Sequence, residues 1–275
     1  EALLFDELKA QDRPQDYARA IGRAQTGRFA GLMAAALIAA PLAGLGNYAL
    51  TLISSASSLV GAASALLLPR APRAAVAGRR DFLGVMRRGL TEAARRPGVA
   101  PILLFIALMQ SLIAACEDYW QIFARDVGLT RPQIALFVAA LGAGQAGAAA
   151  LAHRAPLDRA WSLPAWVTLG GLVLAAAAAI FQPWVSVPLA IVFTAMCIVA
   201  LVQADARFQH ALSGEARATV ASVKGFASQC GITLLVLNFG LMAQFSAYRT
   251  AFLVHGAALA LLGVAYVAGA VRRKA

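Results

Sequence analysis

A few polar side chains interrupt the apolar run over residues 99–124. Gln110, Glu117 and Gln121 are spaced i, i+7, i+11, which places them on one face of a helix, and Asp118 lies about a quarter-turn away. An ionisable group inside hydrocarbon costs about 2.5–3.5 kcal/mol on insertion scales, so its presence indicates function. We therefore predict a polar wall facing a water-filled cavity, where Glu117 or Asp118 binds a cation or takes a proton.

The same residues allow a simpler interpretation. Both acids precede Tyr119 and Trp120, and such aromatic residues are enriched where a helix leaves the hydrocarbon. The acids would then lie at the outer interface, where Arg125 neutralises Asp118. We expect Asp118 to pair with Arg125, which leaves Glu117 as the carboxyl group that faces the cavity.

Two later apolar runs add weaker candidates for a substrate or proton pathway. Gln229 lies in the run over 217–243, where it either contacts substrate or bonds to a neighbouring helix. Thr194 lies in the run over 184–206 and shares a helical face with Cys197. Both Gln229 and Thr194 are retained as candidate pathway residues.

Other ionisable residues in the apolar runs receive structural interpretations. Lys224 is expected to extend its ammonium group to the membrane interface, with contact to substrate as the alternative. Asp205 and Arg207 are expected at the cytoplasmic edge, paired with nearby loop charges. His255 is expected to be buried and bonded to a backbone carbonyl, with a proton relay as the alternative.

Motifs of membrane-embedded enzymes are missing from the sequence. It contains no HExxH, no Gly-x-Ser-x-Gly and no Cys-x-x-Cys. Cys116, Cys197 and Cys230 all lie in apolar runs and are interpreted as reduced packing residues. We expect no metal, no cofactor and no enzymatic activity.

The elements that carry these residues are apolar runs of membrane-spanning length. The chain is 60% hydrophobic and 13% charged, whereas a soluble domain has about 25% charged residues. Gly and Ala are abundant in the runs and let membrane helices approach closely, so Gly142, Gly144, Gln145 and Gly147 are expected to form a packing seam. The sequence predicts an all-α membrane protein with about eight spans, at 27–46, 47–68, 99–124, 132–152, 161–181, 184–206, 217–243 and 248–271.

The cations predict the orientation of these spans. All of the 24 Lys and Arg residues except Arg125, Arg131 and Arg249 fall in or beside alternate gaps between the spans. Cationic loops stay in the cytoplasm during insertion, so both ends of the chain are expected there. A net charge of +11 would suggest nucleic acid in a soluble protein, but cations distributed between apolar runs do not.

Three parts follow from this layout. Residues 1–68 form a cytoplasmic connector and two spans, and residues 99–275 form a bundle of six spans. Residues 69–98 form a basic cytoplasmic loop between them. Apolar residues within 82–93 fall roughly on one face, which is typical of an amphipathic helix lying on the inner leaflet or against the bundle. A solvated linker is the alternative.

The orientation can be tested by cysteine labelling in intact cells. In a variant without the native cysteines, Ala74→Cys is expected to react only with a membrane-permeant reagent, because residues 69–98 lie in the cytoplasm. A cysteine between Arg125 and Arg131 serves as the positive control and should react with an impermeant reagent. Reaction of the Ala74→Cys variant with the impermeant reagent would contradict the predicted orientation.

The layout and three short stretches resemble the major facilitator superfamily of secondary transporters. Two spans, a long basic loop and six spans match spans five to twelve of that twelve-span fold. Residues 1–6, with Tyr17 and Gly22-Arg23, are similar to the stretch joining spans four and five in bacterial members. Residues 128–130 are similar to the turn before span eight, and residues 215–220 to the entry to span eleven.

The resemblance implies a fold, a location and a function. The first two spans would end an N-terminal bundle, and residues 99–275 would be the complete C-terminal bundle. The chain starts at Glu1 rather than Met, so it is expected to be a piece of a longer protein, partnered by missing N-terminal helices. The implied function is alternating-access transport of a small solute or drug, coupled to protons, in a bacterial inner membrane. A non-transporting sensor or accessory protein of the same fold is the alternative.

Overall fold

The computed structural model of the chain describes residues 2–42, 46–66, 91, 99–212 and 217–272, and all regular elements in these ranges are helical. Short 3-10 helices lie at Pro14–Asp16 and Ala152–Arg154. The α-helices are α1 (Ala2–Ala10), α2 (Tyr17–Leu42), α3 (Gly46–Ala65), α4 (Val99–Glu117), α5 (Trp120–Asp126), α6 (Arg131–Leu151), α7 (Ser162–Ile180), α8 (Pro183–Ala211), α9 (Arg217–Phe245) and α10 (Tyr248–Arg272).

Six of the described helices are long and apolar enough to cross a membrane, namely α4, α6, α7, α8, α9 and α10. They occupy the six spans predicted within residues 99–275. The prediction of a multi-pass, all-α membrane protein is confirmed at this level. Helices α2 and α3 occupy the first two predicted spans but are not among the six over the residues described, so the number eight stays a prediction.

The start of α6 shows how local chemistry sets a helix boundary. Thr130 is the N-cap and adopts an extended backbone conformation. Its backbone N–H donates to Gln133 Oε1 at 2.8 Å, and its hydroxyl group is 2.9 Å from the same oxygen. Pro132 lies in the first turn, where its missing N–H leaves no helical bond unmade. In the sequence, Thr130 stands three residues before Gln133 with Pro132 between them, a spacing that predicts a capping box, and the structure confirms it.

Small residues hold the membrane helices close together. A Cβ atom added to Gly256 on α10 would lie 2.7 Å from the backbone nitrogen of Ala175 on α7. One added to Gly263 would lie 2.5 Å from the carbonyl oxygen of Pro164. Only glycine fits at such a distance, so the two backbones touch directly, as expected where helices pack in lipid.

The predicted glycine seam of α6 contacts two neighbours. A Cβ atom at Gly142 would lie 3.3 Å from Cβ of Met33 on α2, and one at Gly144 would lie 3.0 Å from the side chain of Ile191 on α8. A Cβ atom at Gly147 would meet open space. The seam is therefore confirmed for Gly142 and Gly144, and it packs α2 against the six-helix bundle.

The predicted span over 99–124 is broken by a turn. Helix α4 ends at Glu117 and α5 begins at Trp120. Between them, the Tyr119 N–H donates to the carbonyl oxygen of Cys116 at 3.2 Å, a bond three residues long rather than four. The predicted single face carrying Gln110, Glu117 and Gln121 is therefore wrong in its last member, which lies on α5 beyond the turn.

Two predicted parts have little or no described environment. The loop over 69–98, including the amphipathic helix expected within 82–93, lies outside the described residues except for Thr91. Helix α3 is exposed at every position from 51 to 64. None of its described side chains lines the cavity described below, which lies between α2 and three helices of the six-helix bundle.

Candidate functional site

A cavity of about 270 Å³ lies between α2, α4, α8 and α9. The lining residues of α2, α4 and α8 recur three, four or seven positions apart, so one face of each helix borders the space. Each of these faces contributes both apolar side chains and at least one polar side chain to the lining. The polar lining residues are Gln25, Arg28, Gln110, Glu117, Asp205 and Lys224.

The α4 wall carries two of the predicted pathway residues. Gln110 and Glu117 both line the cavity, with Ala114 between them on the same face. Glu117 is exposed at the end of α4 and borders the open space of the cavity. On the α2 wall, Arg28 lies near enough for its charge to attract that of Glu117. The cavity thus offers an acid, a guanidinium group and an amide to a polar solute.

Three hydrogen-bonded residues form the other charged end of the cavity. Lys224 Nζ donates to Asp205 Oδ1 at 2.6 Å, and the Tyr17 hydroxyl donates to Asp205 Oδ2 at 2.5 Å. The side chains of Asp205 and Lys224 are only 11% and 9% exposed, and Tyr17 is fully buried. One carboxylate therefore ties together α2, α8 and α9.

This network satisfies charges that would otherwise be costly to bury. Desolvating an ion costs several kcal/mol, and attraction between the partners offsets this only with good geometry and further hydrogen bonds. Both Asp205 oxygens accept a bond, and the Lys224 ammonium group also lies 5.1 Å from the ring centre of Phe208. A cation over an aromatic face gains further attraction. The buried charge of Asp205 is therefore stabilised by Lys224, and the buried charge of Lys224 by Asp205.

Helix α1 supports the tyrosine of this network. The Phe5 ring packs edge-on against Tyr17, with 5.4 Å between ring centres, and against His210 at 5.1 Å. Phe5 is itself buried at 3% exposure. The N-terminal segment, predicted only as a charged cytoplasmic connection, therefore contributes an apolar contact that fixes the Tyr17 ring.

An aromatic cluster lies at the opposite end of the bundle. The Tyr119 ring stacks on Phe239 with 4.4 Å between centres, and the Trp120 ring stacks on Phe252 at 5.0 Å. Phe239 and Phe252 are fully buried and meet edge-on at 4.9 Å. Because this cluster begins directly after Glu117 in the chain, the polar lining of α4 ends where the aromatic packing starts.

The other predicted pathway residues lie outside the cavity lining. Gln121 and Gln229 are exposed on other surfaces of α5 and α9, and Asp118 is exposed in the turn after α4. Thr194 is buried at 3% exposure, and its hydroxyl donates to the carbonyl oxygen of Ile191 at 3.0 Å. Of the six candidates, the structure brings Gln110 and Glu117 together.

The predicted pairing of Asp118 with Arg125 is wrong. Arg125 pairs instead with its neighbour Asp126, with 3.0 Å between the guanidinium nitrogen and the carboxylate oxygen. The turn between Glu117 and Trp120 explains the difference, since it interrupts the helical register that would align residues seven apart. Asp118 is exposed and has no ion pair among the described residues.

The expectation that Lys224 reaches the interface is also wrong. Helix α9 begins at Arg217, so Lys224 lies about two turns inside it, and its ammonium group turns to the buried Asp205. The predicted pairing of Asp205 with loop charges fails for the same reason. Arg207 forms no ion pair with a described loop carboxylate either; it donates to the carbonyl oxygen of Arg159, in the loop between α6 and α7, at 3.2 Å.

Three cavity or network residues were missed by reasoning from sequence. Tyr17, Gln25 and Arg28 lie on α2, which begins ten residues before the predicted span at 27. Arg28 was counted as a cytoplasmic cation. The spacing of Ile21, Gln25 and Arg28 at i, i+4, i+7 is the signal that could have placed them on one helical face.

His255 has the structural role expected of it. It is buried at 3% exposure, and its Nδ1 is 2.9 Å from the carbonyl oxygen of Ala251 one turn earlier. Cys116 and Cys197 are buried, while Cys230 is exposed. Among the described residues, no group of three or more His, Cys, Asp or Glu side chains could hold a metal ion.

Comparisons of the chain with protein-family models, curated proteins and solved structures found no match. The chemistry of the cavity is therefore inferred from the geometry of its lining residues alone. A carboxylate that borders a cavity can exchange a proton, and a neighbouring guanidinium group can hold an anionic or polar part of a solute. The buried Asp205–Lys224 pair is already neutralised within the protein and serves to join helices.

Proposed function

We propose that this protein is a secondary active transporter of the major facilitator type, which moves a small solute across a bacterial inner membrane by alternating access. On this proposal eight helices cross the membrane, both ends of the chain are cytoplasmic, and Glu117 couples transport to protons. The observation that carries the proposal is a cavity with ionisable lining residues between α2 and three helices, α4, α8 and α9, that are long and apolar enough to cross a membrane.

The charge content of the cavity supports a role in transport. Ionisable residues at membrane depth are costly and commonly mark substrate or proton paths. Asp205 and Lys224 neutralise each other, but Glu117 and Arg28 border open space. The volume of 270 Å³ is slightly below the roughly 300–1,000 Å³ of drug-sized ligand pockets, which favours a small solute.

The interrupted helix is a second supporting feature. Transporters commonly place their ion and substrate sites where a membrane helix is discontinuous, because the turn frees backbone groups and accommodates an ionisable side chain. Glu117 is the last residue of α4, directly before such a turn. The carboxylate therefore lies at the point of this span best suited to binding a proton.

Uptake by proteoliposomes that contain the intact protein tests the proposal. A panel of labelled small solutes is offered under an imposed pH gradient, and Ala114→Trp is compared with Leu108→Trp. Ala114 lines the cavity, whereas Leu108 is 39% exposed on another face of α4. Filling the cavity is expected to abolish uptake of the transported solute, while the Leu108→Trp control keeps the rate of the unmodified protein.

Two results would count against the proposal. Equal uptake by both variants would show that this cavity is not the solute path. Binding of a solute without any flux, in the intact protein and under either sign of pH gradient, would favour the alternative of a sensor or accessory protein.

A further inference from the structure

We propose that a second, apolar crevice at the Arg207 end of the bundle binds an anionic phospholipid. The crevice has a volume of about 750 Å³ and lies between the first turns of α4 and α7 and the last turns of α10, with Arg207 of α8 at its side. It shares no lining residue with the polar cavity. The inference therefore does not depend on the proposed transport function.

The walls of the crevice suit an acyl chain. They consist almost entirely of apolar side chains and small residues, including Leu104, Phe105, Leu163, Ala265 and Gly269. Leu104 is 52% exposed, so this side of the crevice opens at the outer surface of the bundle. In a bilayer that surface is covered by lipid tails, which makes an acyl chain the natural occupant.

The back of the crevice is fixed by direct contacts. The Tyr266 hydroxyl donates to the Pro101 carbonyl oxygen at 3.0 Å, and the Tyr266 ring packs against Phe105 with 4.7 Å between centres. These contacts join α10 to α4. The crevice is therefore a formed space between fixed helices, which reduces the ordering cost of binding.

One end of this apolar space carries positive charge. Arg207 is partly buried, and its one described hydrogen bond is to a carbonyl oxygen. No described carboxylate forms an ion pair with Arg207, and Asp158 attracts it from a longer distance. In the sequence, Arg272, Arg273 and Lys274 follow the lining residue Ala270 almost directly. A ligand with an anionic head and an apolar tail complements this arrangement.

The cationic end also matches the leaflet in which anionic lipids are found. The ends of α8 and α10 that border the crevice are those predicted to face the cytoplasm. The cytoplasmic leaflet carries anionic lipids, and basic pockets between membrane helices on that side bind their head groups. The crevice supports one binding mode, in which the phosphodiester head group lies at Arg207 and the acyl tail lies along Leu104 and Leu163.

Lipid retention by the purified intact protein tests this inference. The protein is incubated with equal amounts of phosphatidylglycerol and phosphatidylcholine, and each retained lipid is counted by native mass spectrometry. We expect selective retention of phosphatidylglycerol. Arg207→Gln should lower that retention about fivefold, the effect of one cation near a membrane surface. Arg154→Gln, an exposed cation of the adjacent loop that does not line the crevice, should leave it unchanged.

A steric pair of variants tests the apolar part of the site separately. Gly269 lines the crevice, and a Cβ atom added there would have no neighbouring atom within 4 Å; the same holds for a Cβ atom at Gly147 on α6. Gly269→Leu should fill the crevice and reduce phosphatidylglycerol retention, while Gly147→Leu should not. Equal retention of both lipids, equal effects of the two arginine variants, or full retention by Gly269→Leu would each overturn the inference.

Discussion

Replacing Lys224 with methionine is expected to destabilise the folded protein by about 3–5 kcal/mol, the usual cost of removing one partner from a buried ion pair. Methionine has a similar length and is apolar, so it fills the space of the lysine stem without its charge. The carboxylate of Asp205 would then stay buried with the Tyr17 hydroxyl as its remaining described donor. Thermal unfolding in detergent, followed by intrinsic fluorescence, measures the loss.

A matched exposed pair gives the control. Arg13 and Asp16 form a salt bridge at 2.6 Å, but the Arg13 side chain is 60% exposed. Water screens such a pair, so Arg13→Met should change stability by about 0–1 kcal/mol. If Arg13→Met and Lys224→Met lost similar amounts of stability, the Asp205–Lys224 ion pair would contribute no more to stability than an exposed pair does.

A double variant distinguishes the cost of an unpaired Asp205 carboxylate from the cost of lost packing around Lys224. Asn in place of Asp205 removes the negative charge yet keeps an oxygen that can accept the Tyr17 hydrogen bond. Adding Asp205→Asn to Lys224→Met should therefore restore most of the lost stability. A double variant no more stable than Lys224→Met alone would attribute the loss to packing around the lysine stem, and the assigned role of the ion pair would be wrong.

The features that sequence predicted well depend on local chemistry. Span positions follow from the lengths of apolar runs, and the boundary at Thr130 follows from a cap and its Gln133 partner only three residues apart. The close packing at Gly142 and Gly144 follows from residue size. Each of these signals can be recognised without knowing which helix lies beside which.

The features that sequence missed depend on how helices are placed against one another. Tyr17 and Asp205 are 188 residues apart, and Lys224 follows Asp205 by 19. Nothing in an apolar run fixes the rotation of one helix relative to another. From the sequence alone, the charges of Asp205 and Lys224 are therefore expected at the membrane edge. The turn after Glu117 contains neither Gly nor Pro, the usual sequence signs of a break. Because the sequence does not indicate this turn, it predicts a continuous helix in which Asp118 is the partner of Arg125.

The position of Glu117 leads to the second large effect, on coupling. Glu117 is exposed at the end of α4 and borders the polar cavity beside Gln110. On the proposed function it takes up a proton on one side of the membrane and releases it on the other. Glutamine has nearly the same shape and cannot carry that proton. Glu117→Gln should therefore abolish proton-driven accumulation of solute.

Solute exchange distinguishes lost coupling from a damaged site. Counterflow of labelled against unlabelled solute requires binding and the conformational change but no net proton movement. Glu117→Gln should retain most of its counterflow rate, because Arg28 and Gln110 remain to hold the solute. Loss of both activities would assign Glu117 to solute binding, and normal accumulation would remove it from the mechanism.

Asp118 provides the matched carboxylate for this experiment. It is adjacent in sequence and exposed, but it does not line the cavity and has no ion pair with Arg125. Asp118→Asn is therefore expected to keep both proton-driven accumulation and normal expression. The two variants remove the same charge at adjacent positions, and of the two side chains the one at 117 lines the cavity. If Asp118→Asn lost accumulation while Glu117→Gln kept it, proton coupling would be assigned to Asp118. The proton path would then lie outside the polar cavity.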